Sequence, residues 1–550
     1  MIYRWLYVLL AVLGILLQFH QAQAQLLSDS TKIFAHIETR AEINAEQKDS
    51  EDFTVFPLQK DGVLVLQVFK HPLNETQGFT FTRYDTALQK VWTETLPLKP
   101  QLHLVHYSIQ DDMIYLMFEE DRFYYDIYSI NIKSGRWYPM PYQRLFKAAV
   151  SQLKVINNQL IMTGEADEQS FIMHLNPQNS EQKILSGSQY RDYYLANLST
   201  HPSSNTFVAV LNGKTQKTKD ILVCIYEANG TLIDKLEIPN NIDYSFLMFK
   251  THIKSPEEMI IVGAYTLKQR SKPQGVFLAN IKKGEKPNIK FYDFCYLNNF
   301  FSYMRPEKRE KYLSKIRQKK KEGDHTRYNL DLVLDDLVVV NNQIVVSGET
   351  FTTILQDNRG MTSPMMFSAM PAFWAFNPMI YTRSSMFFFS GGPYSSFPFY
   401  GYNNFWNNGL NNSQVTQYNY KQGFVCVFDL EGKMLWDNSI PLEDLQSTMP
   451  TPYLAHGLGG SKSQLLYLEK GKLYFKNVTQ SQANETVWEQ TLQQPNTSDK
   501  IYDRQNEVFS HWYSDKYLYF GTQQIRSTEK QNRRRVFFLS KVRIDAPSEH

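Results

Sequence analysis

The sequence has few cysteines: Cys224, Cys295 and Cys426 are the three in 550 residues. This sparse, odd-numbered set excludes a disulfide scaffold, and no Cys-x-x-Cys or Cys/His spacing indicates a metal site. Cys224 and Cys426 lie inside apolar, strand-like runs, so we expect buried thiols. Charge of one sign is also scarce, because the formal net charge is only +3. Any electrostatic role must therefore come from local patches.

Long apolar runs are absent after residue 24, where no stretch reaches the roughly 18 residues of a transmembrane helix. Residues 5–19 form an uncharged run of 15 after Arg4, and residues 22–24 (AQA) are a small-x-small cleavage site. An uncleaved anchor is the alternative, but the run is short for one. We therefore expect residues 1–24 to be a signal peptide. The mature chain is then exported, periplasmic or extracellular, without a transmembrane span.

A phrase of the sequence occurs twice, as KVINNQLIMTGEA (154–166) and VVVNNQIVVSGET (338–350). Both copies read as a strand, an Asn-Asn turn and a second strand, because Asn tolerates the positive φ of tight hairpin turns. From Phe53 onward, short Val/Ile/Leu/Phe/Tyr runs alternate with polar turns and repeat as four-strand units about every 45 to 55 residues.

These units predict an all-β fold, a single β-propeller of four-stranded antiparallel blades. Eight blades fit the repeats best, and seven is the alternative if one weak unit is miscounted. The last unit lacks a clear fourth strand, which residues 32–41 of the N-terminal segment 25–52 can supply. We assign residues 53–550 to the propeller, with a basic helical insertion at about 296–328 and a Met/aromatic-rich loop at about 355–420.

Tryptophan recurs at matching places in the fourth strand of four units: Trp92, Trp137, Trp436 and Trp488. Asp429, Gly432 and Trp436 resemble the D-x-x-G-x-x-x-W phrase of pyrroloquinoline-quinone-type (quinoprotein-like) propeller repeats, also found in envelope assembly scaffolds. Residues 85–92 and 135–137 match it in part. The resemblance implies the fold and no cofactor, since the phrase describes hairpin and Trp packing. The chain also resembles exported propellers of Gram-negative bacteria, which implies its location.

Two insertions depart from the repeat. The first is a helix-like stretch after Pro306, where Tyr312, Leu313 and Ile316 can share one side. The rest of its surface is basic and carries the candidate binding residues Lys308, Arg309, Lys315, Lys319, Lys320 and Lys321. This pattern fits a solvated helix held by three apolar residues, or a patch for an anionic surface or partner.

The second insertion, residues 361–406, holds 15 aromatic residues, six Met and one charged residue, Arg383. A segment this apolar is unfavourable when fully solvated. It must pack on its own propeller, on another protein, or against lipid or sugar. Its candidate contact residues are Phe373, Trp374, Phe387, Phe388, Phe389 and Trp406.

Blade topology predicts that both insertions lie on one face. Loops after the second and fourth strands of an antiparallel blade emerge on the same side; the helix follows a fourth strand, and the aromatic loop follows a second. Three further second-to-third-strand loops are basic, and the last of them ends in Arg533, Arg534 and Arg535. The equivalent loops at 119–122 and 165–168 are acidic. We therefore expect one polarised face.

Catalytic motifs are missing: no phosphate-binding Gly loop, GxSxG or HExxH occurs. Strict strand alternation places His103 and His106 on opposite faces, which disfavours a metal site. Two pairs of adjacent aspartates, at 111–112 and 335–336, are more typical of a polar turn or strand end than of acid–base catalysis.

We predict a non-catalytic binding or scaffold module that contacts a protein or an anionic envelope component, with peripheral membrane contact included. No nucleic acid, metal or cofactor is expected. The alternatives are an extracytoplasmic hydrolase or lyase with its site in the central channel and, less favoured, a quinone-dependent oxidoreductase.

Signal-peptide cleavage gives a first test. We expect the chain purified from its native envelope to begin at Gln25, because AQA precedes that residue. N-terminal sequencing or intact mass checks this, and a chain that retains residues 5–19 would contradict it.

Overall fold

The computed structural model describes residues 34–545 apart from the following gaps: 46–50, 71–76, 100–101, 122–123, 141, 144, 168, 188, 214–220, 239–243, 256, 268–271, 324–327, 358–412, 443–444, 448–451, 460–461, 480–486, 494–498 and 528–532.

Short strands dominate the described chain. The N-terminal strand and those of blades 1–4 are β1 (Ala35–Asn44), β2 (Glu51–Pro57), β3 (Val63–Lys70), β4 (Gln77–Tyr84), β5 (Lys90–Leu96), β6 (His103–Gln110), β7 (Met113–Asp121), β8 (Tyr124–Asn131), β9 (Trp137–Met140), β10 (Ala149–Ile156), β11 (Gln159–Ala166), β12 (Gln169–Asn176), β13 (Glu181–Ile184), β14 (Tyr193–His201), β15 (Thr206–Gly213), β16 (Ile221–Glu227) and β17 (Leu232–Ile238).

The elements of blades 5–8 are β18 (Tyr244–Ser255), β19 (Glu258–Leu267), β20 (Gly275–Lys282), β21 (Asn288–Asp293), helix α1 (Pro306–Lys321), β22 (Asp331–Val340), β23 (Gln343–Asp357), β24 (Ser413–Asp429), β25 (Met434–Pro441), β26 (Gln446–Ser447), β27 (Ala455–Gly459), β28 (Lys462–Glu469), β29 (Lys472–Thr479), β30 (Trp488–Thr491), β31 (Asp499–Tyr513), β32 (Lys516–Ser527) and β33 (Arg533–Ile544). Short 3-10 turns cover Gln59–Asp61, Pro202–Ser204 and Phe294–Tyr296.

The strands form eight antiparallel sheets, which confirms the eight-bladed propeller. Seven blades use four consecutive strands each, and β26 adds to the sixth by pairing with β24. Blade 8 has the order β1-β33-β32-β31, so its outermost strand comes from the N-terminal segment.

Hydrophobic clusters fill the interfaces between neighbouring blades, including the one between blades 8 and 1. At that last interface the rings of Phe53 and Phe537 stack 4.2 Å apart, and the Trp512 indole N–H donates to the Gly62 carbonyl at 3.1 Å. The described blades therefore close into a ring in which each sheet buries both faces against its neighbours.

The repeated Asn-Asn phrase forms the hairpin turn between the first strand of a blade, which we call the inner strand, and the second. Asn157 and Asn158 have φ values of 46° and 61°, and Asn341 and Asn342 have 50° and 58°, as a type I′ turn requires. The first turn also links blades, since the Tyr115 hydroxyl of blade 2 donates to Asn158 Oδ1 at 3.2 Å. The predicted turn is confirmed.

The glycine of the same phrase faces a β-bulge. Register shifts interrupt the inner strands β6, β10, β14, β18, β22 and β31. In three blades a glycine of the second strand lies close to this irregularity. A Cβ added at Gly164 would lie 2.0 Å from the Ala149 carbonyl oxygen, and one at Gly348 2.3 Å from that of Val333. The inner strand thus approaches more closely than a side chain allows.

The four recurrent tryptophans lie in the fourth strands β5, β9, β25 and β30. Trp92 donates its indole N–H to the Ile132 carbonyl of blade 2 at 3.0 Å. In the D-x-x-G turn, Asp429 Oδ1 accepts from the Lys433 amide at 2.6 Å, and Gly432 has a φ of +78°.

Cys224, Cys295 and Cys426 are buried free thiols, which confirms the prediction for Cys224 and Cys426.

Gly164→Ala tests the close approach at the bulge. We expect a loss of about 1–3 kcal/mol in the free energy of unfolding, because the new methyl group must displace backbone. The matched control is Gly284→Asn, at a turn with a φ of +77° and no atom within 4 Å of an added Cβ; it should change stability by less than ~0.5 kcal/mol. Denaturant titration measures both, and equal effects would contradict the assignment.

Candidate binding face

The insertion face is the side of the ring from which loops after second and fourth strands emerge. Helix α1 lies on it between β21 and β22, and the β23–β24 hairpin extends from it. The strand end that carries Arg533, Arg534 and Arg535 lies on it as well. The described parts of the two insertions therefore share a face, at blades 5 and 6.

Apolar contacts hold α1 on the ring. Leu313 and Ile316 are 4% and 2% exposed and belong to the cluster between blades 5 and 6. Tyr312 is half-buried against the same cluster and contacts Phe301 edge-on at 5.5 Å. The apolar side predicted for this helix is confirmed.

Polar contacts fix the C-terminal end of α1. The Asp293 carboxylate pairs with Lys320, accepts from the Tyr328 hydroxyl at 2.6 Å, and caps the Cys295 amide at 3.0 Å. Arg317 donates to the Cys295 carbonyl at 2.8 and 3.0 Å. Burial lowers the pKa of Lys320 to about 8. Lys320 thus serves to hold the helix, a role that sequence reasoning missed because Asp293 lies 27 residues earlier.

The segment before α1 is attached to blade 6 through Asp437. Its carboxylate accepts from the amides of Asn298 and Asn299 at 2.8 and 2.7 Å. Burial raises the pKa of Asp437, while these amide hydrogen bonds lower it. The rings of Phe300 and Phe424 meet at 5.3 Å, so the same segment packs on β24.

The solvent side of α1 keeps a row of free ammonium groups. Lys308, Lys311 and Lys315 are exposed, and no described residue forms an ion pair or hydrogen bond with their ammonium groups. Their spacing places them on one side of the helix. Lys321 is also exposed, whereas Arg309 and Lys319 are half-buried. We call Lys308, Lys311 and Lys315 the lysine row.

The aromatic insertion begins and ends on a paired stem. β23 and β24 remain paired, with two register shifts, out to Asp357 opposite Ser413, beyond the ring-forming part of the blade. At its root, Phe351 contacts Tyr420 at 5.5 Å, and Tyr420 meets Tyr453 edge-on at 4.8 Å. The candidate residues of the loop itself lie outside the described residues: Phe373, Trp374, Phe387, Phe388, Phe389 and Trp406.

Other basic residues of this face are partly neutralised. Lys272 pairs with Asp331 at 2.6 Å, and Arg534 pairs with Glu42 at 2.8 Å. Arg535 is half-buried, whereas Arg533 is exposed. The basic loops at 214–220 and 268–271 lie outside the described residues. Among the described residues of the insertion face, positive charge without an ion-pair partner is therefore found on α1 and at the end of blade 8.

The inner strands hold polar groups as well. The bulge in β6 pairs His103 with Glu119 and His106 with Met117, so both histidines point to one side. The prediction of opposite faces was wrong because it assumed unbroken alternation. His106 contacts the Val150 carbonyl at 3.1 Å, and burial lowers its pKa to about 4. Nearby, the Lys250 ammonium donates to the Asp335 carbonyl at 2.8 Å.

No metal-type cluster of three His, Cys, Asp or Glu residues occurs in the described part of the chain. Among the same residues, no helix has both the length and the apolar character needed to cross a membrane.

Comparison with known proteins shows no family for this chain. No family model and no curated protein matches the chain. It is similar to the β-propeller domain of the Trilobed protease from Pyrococcus furiosus, with a TM-score of 0.32 and 8% identity over 79% of this chain and 95% of that one. It is also similar to polysaccharide lyase Uly1, with a TM-score of 0.35 and 9% identity over 93% of this chain and 100% of that one. A third similar structure is oligopeptidase B from Leishmania major, with a TM-score of 0.37 and 8% identity over 88% of this chain and 54% of that one.

Glu349 fixes the segment that enters blade 7 beside the stem. One oxygen of its buried carboxyl group accepts from the amides of both Tyr453, at 2.7 Å, and Leu454. Burial raises its pKa from 4.5 to about 8, against the lowering effect of these amides. Its proton is therefore retained in the folded chain at pH values where the unfolded chain has released it.

The variant Glu349→Gln tests whether the folded chain retains this proton. The stability of the natural chain should fall as pH rises from about 4.5 to about 8, because unfolding then releases a proton. Each unit by which the folded pKa exceeds the ordinary value contributes ~1.4 kcal/mol to that fall. Gln can accept the same two amides without titrating, so this component of the slope should disappear. Thermal midpoints across this pH range measure it; an unchanged slope would show that Glu349 is already ionised.

Proposed function

We propose that this protein is an exported, non-catalytic propeller that binds a protein or an anionic component of the cell envelope through its insertion face. The lysine row carries the proposal. Three exposed cations without described partners stand on a helix that is held in place by buried contacts. The helix that carries the row needs no rearrangement of its backbone on binding, and its charge attracts anions.

The β23–β24 stem adds support. It holds both ends of an insertion whose sequence is rich in aromatic residues and Met and nearly free of charge. Aromatic residues and Met are enriched in the cores of protein interfaces, with charged residues at the rim. A cationic helix on the same face as the stem of such a segment matches that arrangement.

The alternative, a hydrolase or lyase acting in the central channel, has one observation in its favour. Lys154 lies on inner strand β10, and burial together with the charge of Lys250 lowers its pKa to about 8. A lysine in that range can act as a general base. A catalytic role would require a substrate whose turnover is lost in Lys154→Met.

Charge reversal tests the binding role. We expect the triple variant Lys308→Glu, Lys311→Glu and Lys315→Glu, and a separate deletion of residues 361–406, to lose the partner that copurifies with the tagged natural chain. Affinity purification from the native envelope, quantified by mass spectrometry, measures this.

The matched control reverses three exposed lysines in loops of the opposite face: Lys60, Lys283 and Lys286. It should retain the partner, and all variants should keep the thermal midpoint of the natural chain to within a few degrees, as surface changes usually do. If the lysine-row variant and the deletion both retain every partner, the proposal fails.

A further inference from the structure

Three cations stand directly opposite one another at the insertion-face end of blade 8. Lys500 of β31 pairs with Arg526 of β32, and Arg526 pairs with Arg533 of β33. Directly opposed residues of antiparallel strands point to the same side, with Cβ atoms about 5 Å apart. These side chains therefore form one row across the sheet, which we call the cationic row.

The cationic row is not neutralised within the described chain. No described carboxylate forms an ion pair with Lys500, Arg526 or Arg533, although the adjacent Arg534 has Glu42 at 2.8 Å. Like charges placed directly opposite each other destabilise a sheet. Charge repulsion within the row therefore opposes folding, and a bound anion relieves it.

An exposed aromatic ring lies among these cations. Tyr502 is 48% exposed. The Lys500 ammonium nitrogen lies 5.7 Å from the centre of its ring, and the Arg533 guanidinium carbon lies 5.5 Å from it. Its pKa is lowered, first by a hydrogen bond from Arg526 and then by the charges of Arg526, Lys500 and Arg533. The four side chains thus form one continuous polar and aromatic surface.

We infer that the cationic row and Tyr502 bind an acidic polysaccharide, with carboxylate or sulfate groups on the cations and a sugar ring against Tyr502. A row open to solvent along a strand end suits an extended polymer with repeated charges. The exposed ring offers a flat apolar surface that a pyranose can cover. A phospholipid headgroup needs no such ring. The inference rests on the proposed function, because an exported chain meets acidic polysaccharides rather than nucleic acid.

Polygalacturonate binding by the purified full chain tests the inference. We expect measurable binding at low salt that weakens as salt rises, and no binding to neutral dextran. Lys500→Ala, Arg526→Ala and Arg533→Ala combined should weaken binding about tenfold or more. Tyr502→Ala should weaken it several-fold, whereas Tyr502→Phe should retain it because the ring is the contact. Isothermal titration calorimetry measures each affinity.

Controls separate a built site from general charge attraction. The triple Lys60→Ala, Lys283→Ala and Lys286→Ala removes equal charge from the opposite face and should leave binding unchanged. If this control weakens binding as much as the cationic-row variant does, the inference is overturned. Tighter binding of phosphatidylglycerol vesicles or oligothymidylate through the same residues would also overturn it, since the ligand would then be a lipid or a nucleic acid.

Thermal melting gives an independent readout. Removing like charges from the row should leave the midpoint unchanged or raise it. If the triple variant does not fold, the single variant Arg526→Gln carries the same test. The lysine row is intact in all these variants. Loss of polysaccharide binding alone therefore bears on blade 8, whereas loss of the copurified partner in the lysine-row variant bears on the proposed function.

Discussion

Face-to-face packing between blades is the constraint on which the rest of the structure depends. A four-stranded sheet with two apolar faces is unfavourable in water unless both faces are covered. Each described interface between blades holds a hydrophobic cluster, and the cluster between blades 8 and 1 lets the first sheet cover the last. The pairing of β1 with β33 then joins the two ends of the chain within one blade.

A closed ring also determines where its insertions lie and how firmly they are held. The segment that contains α1 passes from the outer strand of blade 5 to the inner strand of blade 6, so it crosses the cluster between them. Leu313 and Ile316 enter that cluster, and Asp293 and Asp437 anchor the two ends of the segment. The lysine row is therefore held on a rigid support, which lowers the entropy lost on binding.

Strand patterns and turn residues predicted the blades, because a hairpin is specified by residues close together in sequence. Asn157 and Asn341 marked two inner turns correctly. Gly164 and Gly348 belong to the same repeated phrase, but the reason for them is the approach of the neighbouring inner strand. The bulge in β6, which turns His103 and His106 to one side, has no local signal that alternation could detect.

By itself, the sequence determined the fold class, the eight four-stranded units and the apolar side of α1, since each depends on periodicity and local turn chemistry. Only the tertiary structure decided which basic residues remain free. Lys320, Arg534 and Lys272 meet carboxylates from distant parts of the chain, whereas Lys308, Lys315 and Arg533 meet none among the described residues. The sequence specifies which residues carry charge, but whether a charge is neutralised depends on which strands the ring brings together.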